Sequence, residues 1–300
     1  MKTWNGTFTD EEDFLTKAFS TSIHCDKAFW KHDILVSLAH VKMLAEAGAI
    51  SQDDCDCLTV HLQELLWDIE AGRINFSAEN ENIHKAVVTI LSDRIGNTAE
   101  KLDFQRDNAQ YGSLVFRFYL KDAINELSQL LSSLKKNLLE DEDTTLYSCM
   151  LARDIDRFND CLKRVNCVPF SGKEKVIDAT DSLIDPEYLK NELGFDSICL
   201  CDKDGAGDRD FAIEFLSCAS MTMMHLSQLA AHAAECQDFA FPQIVSGKAG
   251  KVCGNLFSLL TTLQSLTPSE SCCLHEDKEA VINAFETLKS CLIVLTQFYK

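Results

Sequence analysis

The sequence predicts an all-α protein built on a bundle of long helices, with a small helical domain ahead of it. Three observations carry this. Over 300 residues there are only 4 Pro and 12 Gly, too few to punctuate a chain of many short strands. Apolar residues recur at 4-3-4-3 spacing in three long segments, the pattern of helices packed at a shallow angle. Period-two alternation is nearly absent, so strand content is expected to be very low.

The elements follow in order. A polar arm runs to about Ser22, and helical spacing extends from Asp26 to Ala47, where Gly48 ends it. Ser51 with Asp54 resembles a capping box, Asp replacing Glu, and opens a helix to about Ala71 that Gly72 closes. Ser77 reads as the start of a helix to Ile95, before Gly96. Leu120, Ile124, Leu127, Leu131, Leu134 and Leu138 then form the first long seam. Val252, Leu256, Leu259, Leu263 and Leu266 form a second, and Val281, Phe285, Leu288, Leu292, Leu295 and Tyr299 a third. Phe211 to Ala230 carries two stripes, Phe211–Phe215–Cys218–Thr222–His225–Leu229 and Ala212–Leu216–Ala219–Met223–Leu226–Ala230. A helix with two apolar faces must be covered on both sides, which implies a central place in a bundle or an oligomer. Val168 to Ser182 reads as a loop, Asp185-Pro186 as a helix start, and Gln237 to Ser246 as a short irregular link.

The net charge of −19 argues against nucleic acid or anionic lipid as partners. The start of the chain is polar, and no apolar run approaches the roughly 20 residues of a bilayer span. The 14 cysteines lack C-x-x-C spacing, so no metal site is expected. They are read as small buried hydrophobes in a reducing, cytoplasmic compartment, with the adjacent Cys272 and Cys273 as a redox-active alternative.

Several strings, in a fixed order over nearly the whole chain, resemble the argininosuccinate lyase family of the fumarase/aspartase superfamily. Trp4-Asn5-Gly6-Thr7-Phe8 is similar to the family's W-G-G-R-F, and Ser22-Ile23 with Asp26-Lys27 to A-S-I-x-x-D-K. Asp33-Ile34 with Ser37-Leu38-Ala39-His40 resembles D-I-x-x-S-x-A-H, and Arg164-Val165-Asn166 through Pro169 resembles R-V-N-x-x-P. Asp208-Arg209-Asp210-Phe211 is similar to S-D-R-D-F, Gly247-Lys248 through Gly254-Asn255-Leu256 to R-G-K-x-G-x-x-x-G-N-L, and Glu276-Asp277-Lys278-Glu279 to Q-E-D-K-E. The resemblance implies a fumarase/aspartase-like long-helix bundle with an N-terminal helical domain at 1–103, a shortened central bundle at 104–300, and the family's C-terminal domain missing. It also implies a homotetramer whose central helices form a common core, each site drawing on three subunits.

The family splits argininosuccinate into arginine and fumarate by β-elimination, without a cofactor. A base removes a proton beside a carboxylate, and fixed donors and cations stabilise the dianionic intermediate. The family's base loop, S-S-x-M-P-Q-K-K-N-P, has no counterpart here, because Phe241-Pro242-Gln243 runs almost directly into Ile244. Its segment G-Y-T-H-L-Q-x-A-Q-P should fall between Leu139 and Arg153, where Asp141, Glu142 and Asp143 stand and no His occurs. Its carboxylate-binding T-G-R-S-R-N-D-Q aligns with Phe104 to Tyr111, of which Arg106 persists while Asp107 would repel an anion. Asn82 replaces an Asp, and Glu270 and His275 replace a Tyr and a Gln. No catalytic residue is assigned.

Ser22, Asp26, His84, Arg106 and Lys278 persist as a remnant of the family's substrate-binding set, open to a small anionic ligand or to purely structural roles. His225 reads as a hydrogen-bonded core residue. Two functions stay open: a lyase-like protein that has lost its activity and acts as a binding or assembly module, alone or with an active paralogue, and an active argininosuccinate or related amidine lyase of arginine biosynthesis.

Overall fold

The computed structural model describes residues 22–77, 80–139, 142–171, 183–236, 240–264, 266–267 and 276–300. The N-terminal arm with its Trp4–Phe8 string, Glu270, Cys272, Cys273 and His275 lie outside the described residues. The chain divides into two compact units, 1–106 and 107–300.

In the first unit, short turns at Ile23–Asp26 and Lys27–Phe29 lead into α1 (Trp30–Glu46). Gly48 adopts φ 71° just beyond it, a left-handed conformation that costs glycine no steric clash. The helix α2 (Gln52–Glu70) is capped by Ser51, whose Oγ accepts a hydrogen bond from the Asp54 amide at 3.2 Å. The next helix, α3, spans Ile83–Ile95 rather than starting at Ser77. Its N-cap is Asn82, whose Oδ1 accepts from the Lys85 amide at 3.0 Å. A 3-10 segment, Gly96–Asp103, follows. Ile34 and Val41 of α1 pack with Leu58, Leu62 and Leu65 of α2, Val87 and Leu91 of α3, and Leu102.

The second unit begins at Asp107, the N-cap of α4 (Asn108–Leu138). Then come α5 (Thr145–Val165), β1 (Cys167–Val168), α6 (Pro186–Leu193), β2 (Ser197–Ile198) and α7 (Asp202–Gly207). Three long helices complete it: α8 (Asp210–Cys236), α9 (Pro242–Leu263) and α10 (Glu276–Phe298). The helices α4, α5, α8, α9 and α10 form one bundle, with α8 against α5, α9 and α10, and α4 against α5 and α10.

The seam on α4 is buried without exception from Leu120 to Leu138, and so are both stripes of α8. Along the middle of α8 a third stripe, Ser217, Met221, Met224, Gln228 and Ala231, is half-buried or exposed, again at 4-3-4-3 spacing and without charge, between Glu214 and Glu235. On α10, Val281, Phe285, Leu288, Leu292 and Leu295 are buried. Asp277–Phe298 is long and apolar enough to cross a membrane by length and composition, but this buried row is the pattern of a core helix.

Two expectations need correction. The stretch read as an irregular link to Ser246 is helical from Pro242, whose fixed φ suits the first helical position. Leu266 lies beyond the end of α9, so the second seam stops at Leu263. Asp185 caps α6 by accepting from the Glu187 and Tyr188 amides, with Pro186 in the first turn. The strands pair in parallel, Cys167 with Ser197 and Val168 with Ile198. Gly205 of α7 lies so close to β1 that a Cβ there would stand 2.5 Å from the Pro169 carbonyl oxygen.

Candidate functional site

The spacing of Asp33, Ser37 and His40 on α1 puts three polar side chains on one face, turned into the interior of the first unit, where all three are buried. Around them gather His84 from α3, Asp103 from the 3-10 segment, and Arg106. The Arg106 guanidinium donates to Asp33 Oδ1 at 2.7 Å and to Ser37 Oγ at 3.1 Å, and its side chain is 2% exposed. His84 bridges two carboxylates, Nδ1 to Asp33 Oδ2 and Nε2 to Asp103 Oδ1, both at 3.1 Å. Lys85 adds a contact of 2.8 Å to Asp103. His40 Nε2 donates to the Phe104 carbonyl at 3.0 Å, ahead of Gln105, a non-glycine residue at φ 53°.

The electrostatics follow from this closure. Burial alone would raise the Asp33 carboxyl, but the Arg106 guanidinium and His84 override it and hold the group below the usual range. Hydrogen bonds from His84 and Lys85 hold Asp103 well below that range, against the opposing effect of its own burial. Burial, reinforced by the charge of Arg106, lowers His40 to about 3, so it stays neutral at any ordinary pH.

Of the five remnant residues, four lie in this first unit. Ser22 Oγ donates to Asp26 and, at 3.3 Å, to the Glu81 carbonyl, tying the start of the described chain to the segment before α3. His84 and Arg106 meet on Asp33. Lys278 belongs to the second unit, half-buried in the first turn of α10. Its amide donates to Asp277, whose buried carboxylate also takes a hydrogen bond from Arg209 Nε. Sequence reasoning missed Asp33, Ser37, His40 and Asp103 as the set that holds the remnants; the buried polar row on α1 was the available signal.

The segments that the resemblance sets against the family's catalytic blocks have structural duties. Asp107 caps α4, accepting from the Gln110 amide at 2.8 Å. Between α4 and α5, Thr144 Oγ1 donates to the Leu138 carbonyl at 2.8 Å. Pro242 begins α9, directly after Phe241. His225 donates through Nδ1 to Asp154 at 2.7 Å, and Arg157 donates to the same carboxylate at 2.9 Å, so His225 is a satisfied core residue. Among the described residues, no group of three or more His, Cys, Asp or Glu side chains is placed to hold a metal ion.

Comparison with known proteins adds the remaining facts. No family model matches the chain. The argininosuccinate lyase of Acetivibrio thermocellus is 35% identical over 345 residues, covering 99% of this chain and 75% of the relative. That of Ruminiclostridium cellulolyticum is 34% identical, with 99% and 74% covered. Among solved structures, a fumarate lyase from Mesorhizobium sp. BNC1 superposes with a TM-score of 0.71 at 16% identity, covering 99% of this chain and 76% of that one. A fumarate lyase:delta crystallin from Brucella melitensis reaches 0.77 at 10% identity, with 98% and 77% covered. These structures share the all-α fold.

Proposed function

The chain belongs to the argininosuccinate lyase family, and from that membership we propose that it keeps the family's helical scaffold as an assembly or binding module without carrying out β-elimination. The observation that carries this reading is the closure of Arg106. A guanidinium that is to hold a substrate carboxylate must present its donors to a cavity. Here they are turned onto Asp33 and Ser37 inside the first unit. Loss of the base loop and of the His segment supports the same reading, since general-base and charge-stabilising groups each contribute about 10²-fold or more.

The role left to the scaffold is association, as a homotetramer or in mixed oligomers with a catalytically complete lyase. The uncharged stripe of α8 from Ser217 to Ala231 supports this, because an exposed helix face in a chain of net charge −19 is ordinarily charged. The eleven cysteines with described side chains are free thiols, which suits a cytoplasmic setting.

The test is fumarate release from argininosuccinate by the purified protein at high concentration, followed by ultraviolet absorbance. The expected result is no release above blank. Release above both the blank and a Lys278→Ala control overturns the proposal in favour of an active argininosuccinate or related amidine lyase with a substitute base.

A further inference from the structure

We infer that Cys199 and Cys201 form a dithiol that a hydroperoxide converts to a disulfide, a reversible modification site at the corner where β2 runs into α7.

Two cysteines separated by one residue occur twice in the sequence, as Cys55 and Cys57 and as Cys199 and Cys201, and local structure separates the two cases. Cys55 and Cys57 both lie on α2, where a step of two residues turns the side chains about 200° apart, and Cys55 is buried in the core. Cys199 and Cys201 lie between β2 and the first turn of α7, either side of a bend at Leu200. Cα atoms two residues apart are at most about 7 Å from each other, and a bend shortens that into the range a disulfide spans. Leu200 is 84% exposed, its side chain turned out into water. Cys199 Sγ turns back and donates to the Cys201 carbonyl at 3.3 Å.

Both flanks are pinned. The Cys199 amide donates to the Val168 carbonyl of β1 at 2.9 Å, and the Cys201 carbonyl accepts from the Gly205 amide of α7 at 2.9 Å. The two thiols are thus kept within one short turn, and such proximity removes much of the entropic barrier to a bond between them. Cys167 also lies close enough to act on the Cys199 thiol electrostatically. The parallel register sets Cys167 opposite Ser197, two residues before Cys199. With strands about 4.8 Å apart and a rise of about 3.3 Å per residue, the Cα atoms of Cys167 and Cys199 stand roughly 8 Å apart, beyond the reach of a disulfide. Geometry therefore selects Cys201 as the partner.

Exposure sets the order of events. Cys201 is exposed and meets the oxidant first. Its thiolate sulfur attacks the hydroperoxide, the O–O bond breaks, and Cys201 becomes a sulfenic acid while the departing oxygen takes a proton and leaves as an alcohol or as water. Cys199 is half-buried, and burial pushes its thiol up to about 11, so it keeps its proton and is spared direct oxidation. It then attacks the sulfenic sulfur of Cys201. The S–S bond forms as the S–O bond breaks, and the hydroxide leaves with the Cys199 proton as water. Over both steps two thiols lose two hydrogens and one peroxide is reduced. A ring closed over a single intervening residue is strained and readily reduced, the behaviour of a transient disulfide in a reducing compartment.

The experiment is a peptide map of the full chain. Trypsin releases residues 191–203, whose only cysteines are Cys199 and Cys201. The protein is treated with hydrogen peroxide, alkylated, and digested without reduction. The expected result is loss of both alkyl groups from this peptide and a mass two hydrogens below its reduced form, restored by dithiothreitol before alkylation. In Cys199→Ser, where nothing resolves the sulfenic acid, dimedone should label Cys201; no label there overturns Cys201 as the thiol oxidised first. A parent peptide that keeps both alkyl groups after the exposed Cys149 has been oxidised overturns the proposal. So does a link from 191–203 to residues 165–173, which carry Cys167 alone. The map reads the parent chain, so these outcomes do not depend on how a variant folds.

Discussion

Arg106 and Asp33, 73 residues apart in the chain, meet at 2.7 Å with side chains 2% and 3% exposed. That pair gives Arg106 a structural duty in the interior of the first unit. Arg106→Ala leaves a buried carboxylate with half its partners gone, a loss worth about 3–5 kcal/mol. Lys278→Ala, at a half-buried position whose amide makes the contact to Asp277, should shift stability by only about 0.5 kcal/mol. Urea unfolding of both variants checks this; equal, small effects would return Arg106 to the ligand-binding role.

Acid should weaken the first unit well above the carboxylate range. His40 is lowered to about 3 in the folded protein, against an ordinary value near 6.5. A depressed folded value means the stabilisation is complete above the unfolded value and is lost as pH falls toward the folded one. Each unit of pH across that window costs about 1.4 kcal/mol at most, so of the order of 3 kcal/mol should be lost by pH 4. His40→Gln, which retains a donor for the Phe104 carbonyl, should flatten the decline between pH 6.5 and 4 in thermal melts. An unchanged slope would rule His40 out as its source.

Arg209 and Asp277 form a second buried ion pair, with side chains 4% and 0% exposed, joining the start of α8 to the start of α10. Arg209→Met alone should cost about 3–5 kcal/mol, because Asp277 is left charged in the interior. Adding Asp277→Leu should recover most of that loss, and a double-mutant cycle measured in urea reads the coupling directly. Additive losses would show the two side chains acting independently.

Gly205→Ala should lower stability by about 1–3 kcal/mol, since its Cβ would stand 2.5 Å from the Pro169 carbonyl oxygen and 2.8 Å from Cys199 Sγ. Ser113 Oγ donates to the Gly205 carbonyl at 2.8 Å from within the core, so α7 cannot easily move aside. A melting temperature equal to the parent's would mean that it does.

How far the sequence carried depends on range. The row from Leu120 to Leu138 and the two stripes of α8 were legible because helical periodicity is local and the burial it requires is the same in any bundle. Starts were less legible: Ser77 and Asn82 are both good caps, and only packing of Ile83, Ala86 and Val87 selects Asn82. Pro242 reads as loop from its neighbours, which are short of helical spacing, although its own ring favours a first turn. At the site, resemblance named Ser22, Asp26, His84, Arg106 and Lys278, but their present duties depend on contacts from 1 to 73 residues away. The polar row Asp33–Ser37–His40 marks a partner in the chain, but which distant residue it holds is set only by the fold.

The cap at Asp107 bears on how such a chain comes to exist. A carboxylate and a hydroxyl cap a helix about equally well, so Asp107, where the resemblance sets a Ser, serves folding as a Ser would, although its charge would oppose an anionic ligand. Arg106, one residue earlier, has no such latitude, because the interior of the first unit is assembled around it. Neighbouring positions in one stretch of chain are thus under different constraints: on the proposed non-catalytic reading, the residues that endure are those that the architecture itself requires.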